Sequence, residues 1–280
     1  MKLTLGCSPC PNDTFIFYAM LHEKIDMHGI SIKHVLADVE ALNHRALNAE
    51  IDIVKISFAA YLHLQSEYLL LNSGSALGSN CGPLLISKRI ITPHDISSCT
   101  IAIPGKFTTA NFLFNIFFPS HGEKREMLFS DIEEAVLNEV VDVGVIIHEN
   151  RFTYQKKGLR KIADLGELWE HLSGHPIPLG GIAIKRSIDS NTAIIINNLI
   201  KASVLYAFKH PAEAIAFVKQ HAQEMDEEVM WQHIKLYVNQ YTIGLDQEGY
   251  NAIDFFMNYA IKHNIINDRI YPLFSKKPAQ

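Results

Sequence analysis

Two stretches ninety residues apart constrain the fold more than any other feature of this chain. LNAEIDIVKISF (47–58) and LNEVVDVGVIIH (137–148) share a Leu-Asn start, an Asp at the sixth position and a β-branched tail. Each reads as the end of a helix feeding a buried strand, and such a pair repeated within one chain marks two similar α/β lobes. The surroundings support this. KLTLGCS (2–8), SIKHVLAD (31–38) and IDIVKISF (51–58) have strand patterns, while DTFIFYAMLHEK (13–24) and VEALNHRALNAE (39–50) have helical ones, giving β-α-β-α-β order. In the middle of the chain TIAIPGKFTTANFLFNIFF (100–118) reads as strand, glycine turn and helix, and DIEEAVLNEVVDVGVII (131–147) as helix then strand. Such alternation predicts mainly parallel sheets covered on both faces.

The Gly- and Ser-rich segment GSALGSNCGPLLISKRIITPHD (74–95) and the later PLGGIAIKRSIDS (178–190) are the natural crossings between the lobes. Beyond the second, NTAIIINNLIKASVLYAFKH, PAEAIAFVKQHAQ and DEEVMWQHIKLYVNQYT carry apolar residues at helical spacing, with Pro211 and Asp226 at two of the starts. The expected division is a first lobe of residues 1–90 completed by helices from 190–280, and a second of 98–185, with crossings near 86–97 and 178–189. Two lobes joined twice can close like a hinge over a ligand in the cleft between them.

Charge and residue spacing remove several function classes. With 25 basic against 30 acidic side chains and no run of Lys or Arg, nothing here tracks a phosphate backbone, so nucleic acid is excluded as a partner. The 14 histidines are scattered without an HExxH pair, which excludes a metalloprotease of that kind. Cys7, Cys10, Cys81 and Cys99 do not form two paired knuckles, and Pro11 directly follows Cys10, so they read as buried thiols and not as zinc ligands or a redox pair. Lys2 is followed only by Leu3, Thr4 and Leu5 before Gly6, too little for a secretory signal, which points to the cytoplasm. AIIINNLIKASVLYAF (193–208) is interrupted by Asn197, Asn198 and Lys201 and falls short of the ~20 apolar residues of a membrane span. Monomer and homodimer are both compatible with the sequence.

In open α/β sheets, ligands bind at the carboxyl ends of strands, where the following helices present their N-termini. Four segments fit: CSPCPNDTF after the first strand, KISF at a strand end, PGKFTTANF after the first strand of the second lobe, and IIHENRFTY at the end of its buried strand. In GKFTTA, Gly105 allows a tight turn, and Thr108 and Thr109 add hydroxyls at a helix start, a cradle for a carboxylate or, equally, a simple helix cap. Lys55, Ile56 and Ser57 put polar groups at a strand tip. His148 follows VDVGVII directly, so a buried strand delivers its imidazole, a group that titrates near neutrality, to the sheet edge. Asn12 or Asp13 is expected to cap the first helix. Asp13 and Arg151 are further candidates for substrate contact, and His171 and His175 read as loop structure.

SPCPNDTFIF (8–17), NCGP (80–83), GKFTTA (105–110), IIHENRFTY (146–154) and DLGELWEHLSGHPIPLGGIAI (164–184) together resemble the 1,4-dihydroxy-6-naphthoate synthase family of the futalosine route of menaquinone biosynthesis. The resemblance runs through about residue 185. It implies a two-lobed α/β fold of the type II periplasmic-binding-protein kind, an enzyme without metal or organic cofactor, and a small-molecule carboxylate substrate, cyclic dehypoxanthine futalosine. It further implies carbon–carbon bond cleavage, His148 as proton acceptor, and substrate contacts at Lys55, Ile56, Ser57, Thr108 and Thr109. The sister chorismate dehydratases, which lack the SPCPNDTF opening, and a non-catalytic organic-acid-binding protein of the same fold are the competing readings.

Overall fold

The computed structural model describes residues 1–222 and 226–275. The last residue of the second helical segment, Gln223, and residues 276–280 of the expected first lobe lie outside them. The chain opens with β1 (Lys2–Cys7), α1 (Pro11–Leu21), β2 (Ser31–Leu36), α2 (Val39–Leu47), β3 (Ile53–Ser57), α3 (Phe58–Tyr61), β4 (Tyr68–Leu70) and β5 (Ala76–Gly78). It continues through β6 (Leu84–Ser87), β7 (Ile101–Ile103), α4 (Thr109–Phe117), β8 (Lys124–Glu126), α5 (Ile132–Leu137), β9 (Val143–Ile146), α6 (Asn150–Thr153), β10 (Arg160–Asp164) and α7 (Leu165–Ser173). It returns along β11 (Ile177–Lys185) and ends in α8 (Ser190–Lys209), α9 (Pro211–Lys219), α10 (Glu227–Tyr237), α11 (Gln240–Ile243) and α12 (Gln247–Lys262).

Two compact units result: Met1–Gly78 with Pro178–Gln280, and Ser79–Ile177. Both boundaries fall earlier than the sequence reading placed them. β6 belongs to the second unit because it is paired there on both sides, with β9 and β10.

Among the described residues the first unit holds a six-stranded sheet in the order β2-β1-β3-β11-β4, with β5 also on β11. β1 runs parallel to β2 and β3, whereas β11 is antiparallel to β3 and β4. The sheet is therefore mixed and not mainly parallel: β11 enters after the inserted unit, with no crossover helix from β3 to impose a parallel direction. α1 is buried from Pro11 to Met20 and lies against α8, α9 and α10. Ser203 of α8 seals that contact, donating to Ile16 O (2.6 Å) and accepting from Met20 N–H (3.1 Å). The second unit holds β10-β6-β9-β7-β8, with β7 parallel to β8 and β9, and β6 antiparallel to β9 and β10. Its core gathers Leu84, Ile86, Ala102, Ile132, Val136 and Ile146.

The sequence repeat has a three-dimensional counterpart inside each unit. After α2 the chain passes through Ala49 in the left-handed region (φ 51°), and after α5 through Glu139 (φ 57°). Asp52 then accepts from the backbone N–H (2.9 Å) and hydroxyl (2.8 Å) of Thr4 on β1, and returns its own N–H to Thr4 Oγ1 (2.9 Å). Asp142 does the same with Thr100 before β7, at 2.9, 2.9 and 3.1 Å. The shared Asp is thus a clasp between the incoming strand and its parallel neighbour. A cation stands beside each, Lys185 at 3.3 Å from Asp52 and Arg89 at 2.6 Å from Asp142.

Candidate active site

In the first unit the parallel strands β1 and β3 lie side by side, and polar residues on β3 and just beyond β1 form two buried clusters, one around Asp13 and Lys55 and one joining Ser57 to Asn43. Lys55 and Ser57, two apart on β3, project to one face. The Lys55 ammonium donates to Gly74 O (2.7 Å) and lies 3.4 Å from Asp13 Oδ1, both side chains being less than a tenth exposed. Asp13 also accepts from Ser8 N–H (3.1 Å), the Ser8 hydroxyl (2.8 Å) and Asn12 Nδ2 (2.9 Å). Asn43 of α2 donates to Ser57 Oγ (3.3 Å) and accepts from Ser57 N–H (3.1 Å). Ile56, between them, is buried and pairs with Gly181 of β11.

Neither Asn12 nor Asp13 caps α1. The helix begins two residues earlier than the pattern suggested, with Cys10 at the N-cap position and Pro11 as its first residue, because proline needs no N–H partner there and supplies the helical φ. Asp13 is thereby released to bind Ser8 and Lys55. The cysteines of the opening segment are buried thiols. Burial, with the Asp13 charge adding and Lys55 opposing, pushes the Cys7 thiol well up. Burial likewise raises Cys81 to about 12.

In the second unit β7 and β9 are parallel neighbours, Ile101 opposite Val143 and Ala102 opposite Gly144. The segments leaving Ile103 and Ile146 therefore meet at one sheet edge. After β7 comes Gly105 (φ 141°), then Thr108 and Thr109 at the start of α4, whose first turn directs N–H groups outward. The Thr108 hydroxyl caps α4, accepting from Asn111 N–H (3.2 Å) and donating to Gly105 O (2.8 Å). After β9 comes His148, half-buried, its ring 4.6 Å from that of Phe129 at 57°. Its backbone lies in the left-handed region (φ 61°), as do those of Ala49 and Glu139, a conformation that non-glycine residues adopt mainly as single residues in turns.

Arg151, three residues on, turns away from solvent. Its Nη1 donates to Gly82 O (2.5 Å) and its Nη2 to Asp164 Oδ2 (2.6 Å). His175 lies in the loop after α7, but His171 sits within α7, its Nδ1 2.7 Å from Glu167 O. Sequence reasoning did not find Ser8, Asn43, Asp164 or His233, the last of which has Nε2 2.9 Å from Asn12 Oδ1. Asp164 carried a signal: the DLGE spacing is that of an N-cap followed three residues later by Glu, and Asp164 Oδ1 does accept from Gly166 and Glu167 N–H. Nothing local distinguished Asn43, and His233 contacts a residue 221 positions away.

Against known proteins, residues 3–262 match the family described as menaquinone biosynthesis. A relative from Thermus thermophilus, named 1,4-dihydroxy-6-naphtoate synthase, is 39% identical over 251 residues, 90% of this chain and 91% of that protein. A solved structure of a protein from Archaeoglobus fulgidus superposes with a TM-score of 0.90 at 34% identity, covering 95% of this chain and 98% of that one. The alkanesulfonate-binding protein of Xanthomonas axonopodis pv. citri gives a TM-score of 0.73 at 13% identity over 96% and 95% of the two chains, which shows the periplasmic-binding-protein-like fold alone. Among the described residues no helix is long and apolar enough to cross a membrane. The match of that family over residues 3–262, together with a relative 39% identical over about nine-tenths of both chains, places this protein in the menaquinone biosynthesis family of enzymes.

Proposed function

We propose that this protein is a cytoplasmic 1,4-dihydroxy-6-naphthoate synthase, a carbon–carbon lyase acting on cyclic dehypoxanthine futalosine, with His148 as the general base. The observation that carries the reading is His148 itself: a buried strand ends, the backbone turns through a left-handed residue, and that residue is a histidine at the same end of the sheet as the segment leading from β7 into α4. The imidazole removes a proton from the substrate. The electron pair of the broken C–H bond enters the ring that becomes aromatic, the pair of the breaking C–C bond departs with the sugar-derived fragment, and that fragment takes up the proton held by His148, so no oxidant or reductant is consumed and the base is regenerated. Aromatisation supplies the driving force, and the protein's task is to position the base.

The same reading assigns Thr108 and Thr109 to the substrate carboxylate, because a helix N-terminus offers N–H groups and a favourable dipole to an anion. It assigns Lys55, Ile56 and Ser57 to contacts with the polar groups of the substrate. The test is to give purified protein cyclic dehypoxanthine futalosine and follow naphthoate by its absorbance. Turnover supports the reading, and in Thr109→Val or Ser57→Ala the KM should rise more than kcat falls. Absence of naphthoate from the folded protein would overturn it.

A further inference from the structure

We propose that Arg151 is the residue that positions His148, acting as a clamp on the segment that carries the base and not as a contact to substrate; the proposal rests on His148 being the general base. The segment needs such a clamp. His148 lies at φ 61°, and the next helix, α6, has four residues, too few to hold a turn by its own hydrogen bonds. The backbone link to His148 itself is long, Arg151 N–H reaching His148 O at 3.4 Å, whereas the next one, Phe152 N–H to Glu149 O, is 2.9 Å and holds the turn only beyond it.

What Arg151 grips is rigid. The sheet order β10-β6-β9 puts Leu84 of β6 opposite both Ile146 of β9 and Asp164 of β10. One guanidinium, planted in the turn after β9, reaches Gly82 O just before β6 and Asp164 at the end of β10, and so ties three neighbouring strand ends together. The Asp164 side chain is only 1% exposed and cannot swing aside, because its other oxygen caps α7 through Gly166 N–H (2.9 Å) and Glu167 N–H (3.2 Å). Leu165 N–H to Pro83 O (2.9 Å) adds a backbone link between the same strands. Gly82 and Gly166 touch backbone to backbone: a Cβ on Gly82 would stand 2.3 Å from Gly166 Cα. The NCGP and DLGE segments thus form an anchor with no slack, and the arginine fork transmits its position to the turn bearing His148. A lysine offers a single point charge and cannot reproduce both bonds.

The test compares Arg151→Gln and Arg151→Lys with wild type by steady-state kinetics and by the 13C shifts of His148 Cα and Cβ, which report whether its backbone is left-handed. Arg151→Gln should lower kcat on the order of 100-fold, the scale of a misplaced catalytic group, with KM within about twofold and with His148 shifts moved toward ordinary φ. Arg151→Lys should recover part of the kcat and part of the shift. Unchanged kcat with unchanged His148 shifts would overturn the clamp, as would a KM rise as large as the kcat loss with the shifts intact, which would make Arg151 a substrate contact. If wild type itself makes no naphthoate, the functional reading fails, and the shift comparison decides the clamp by itself. Should Arg151→Gln not fold, Arg151→Lys carries both readouts.

Discussion

Replacing Lys55 by methionine keeps an unbranched side chain one atom shorter and removes its charge. The ammonium now lies 3.4 Å from Asp13 and 2.7 Å from Gly74 O, in a setting where both side chains are less than a tenth exposed. Breaking a buried ion pair from one side costs about 3–5 kcal/mol because the remaining charge is left uncompensated. Asp13 would keep Ser8 N–H, the Ser8 hydroxyl and Asn12 Nδ2, which puts the electrostatic loss at the lower end of that range. Gly74 O loses its donor, worth about 1 kcal/mol, and burial of the methionine offsets a similar amount. The net expectation is about 3 kcal/mol, or about 6–12 °C in Tm for a unit of this size. Urea unfolding gives the magnitude, and peptide-resolved hydrogen exchange should confine the lost protection to Met1–Gly78 and the chain after Pro178. In the cycle with Asp13→Asn, the double variant should lose less than the sum of the singles. Loss below about 0.5 kcal/mol, or strict additivity, would refute the account of Lys55 and Asp13 as a coupled pair.

The two Asp clasps make acid stability a second test. The Thr100 N–H, with burial opposing and the Thr100 hydroxyl and Arg89 adding, holds Asp142 below the usual carboxylate range. Burial resists the same shift at Asp52, where the Thr4 N–H and hydroxyl and Lys185 outweigh it. Folded pKa values below the unfolded ones mean that their stabilisation is fully present above about pH 4 and is lost as pH falls through the folded values. Unfolding free energy should therefore drop steeply in that acid window, and Asp52→Asn and Asp142→Asn should each flatten the slope; an unaltered slope contradicts the clasp. A third test is Gly82→Ala, whose added methyl meets backbone and not a flexible side-chain end, and which should cost about 1–3 kcal/mol in thermal unfolding. A wild-type Tm in that variant would disprove the close contact with Gly166.

Local patterns made the β1-α1-β2-α2-β3 run and the β7-α4 and α5-β9 segments legible, because period-2 and period-3.6 apolar spacing is written into contiguous residues. The repeat at 47–58 and 137–148 went further, marking not only matching elements but the Asp that clasps a threonine in each. Strand direction was not legible: β11 carries the same apolar run whether it pairs parallel or antiparallel, and only tertiary context decides. The start of α1 was misplaced because Asn12 and Asp13 are favoured cap residues, whereas Pro11 before them serves as the first helical residue. The candidate residues Ser57, Thr108, Thr109 and His148 lie at carboxyl ends of strands or in the segments just beyond them, while Lys55 sits in the middle of β3. Gly82 and Asp164, the partners of Arg151, are brought to it by sheet order, which no single stretch of chain encodes.

The most direct measurement is single-turnover conversion of cyclic dehypoxanthine futalosine by wild type and His148→Asn, with substrate affinity measured in parallel by calorimetry. The account predicts that the variant binds substrate within a few-fold of wild type while the rate of naphthoate formation falls about 10²–10⁴-fold, the range expected for removal of a general base. A variant that turns over within a few-fold of wild type would show that the proton goes elsewhere and that His148 is not the base.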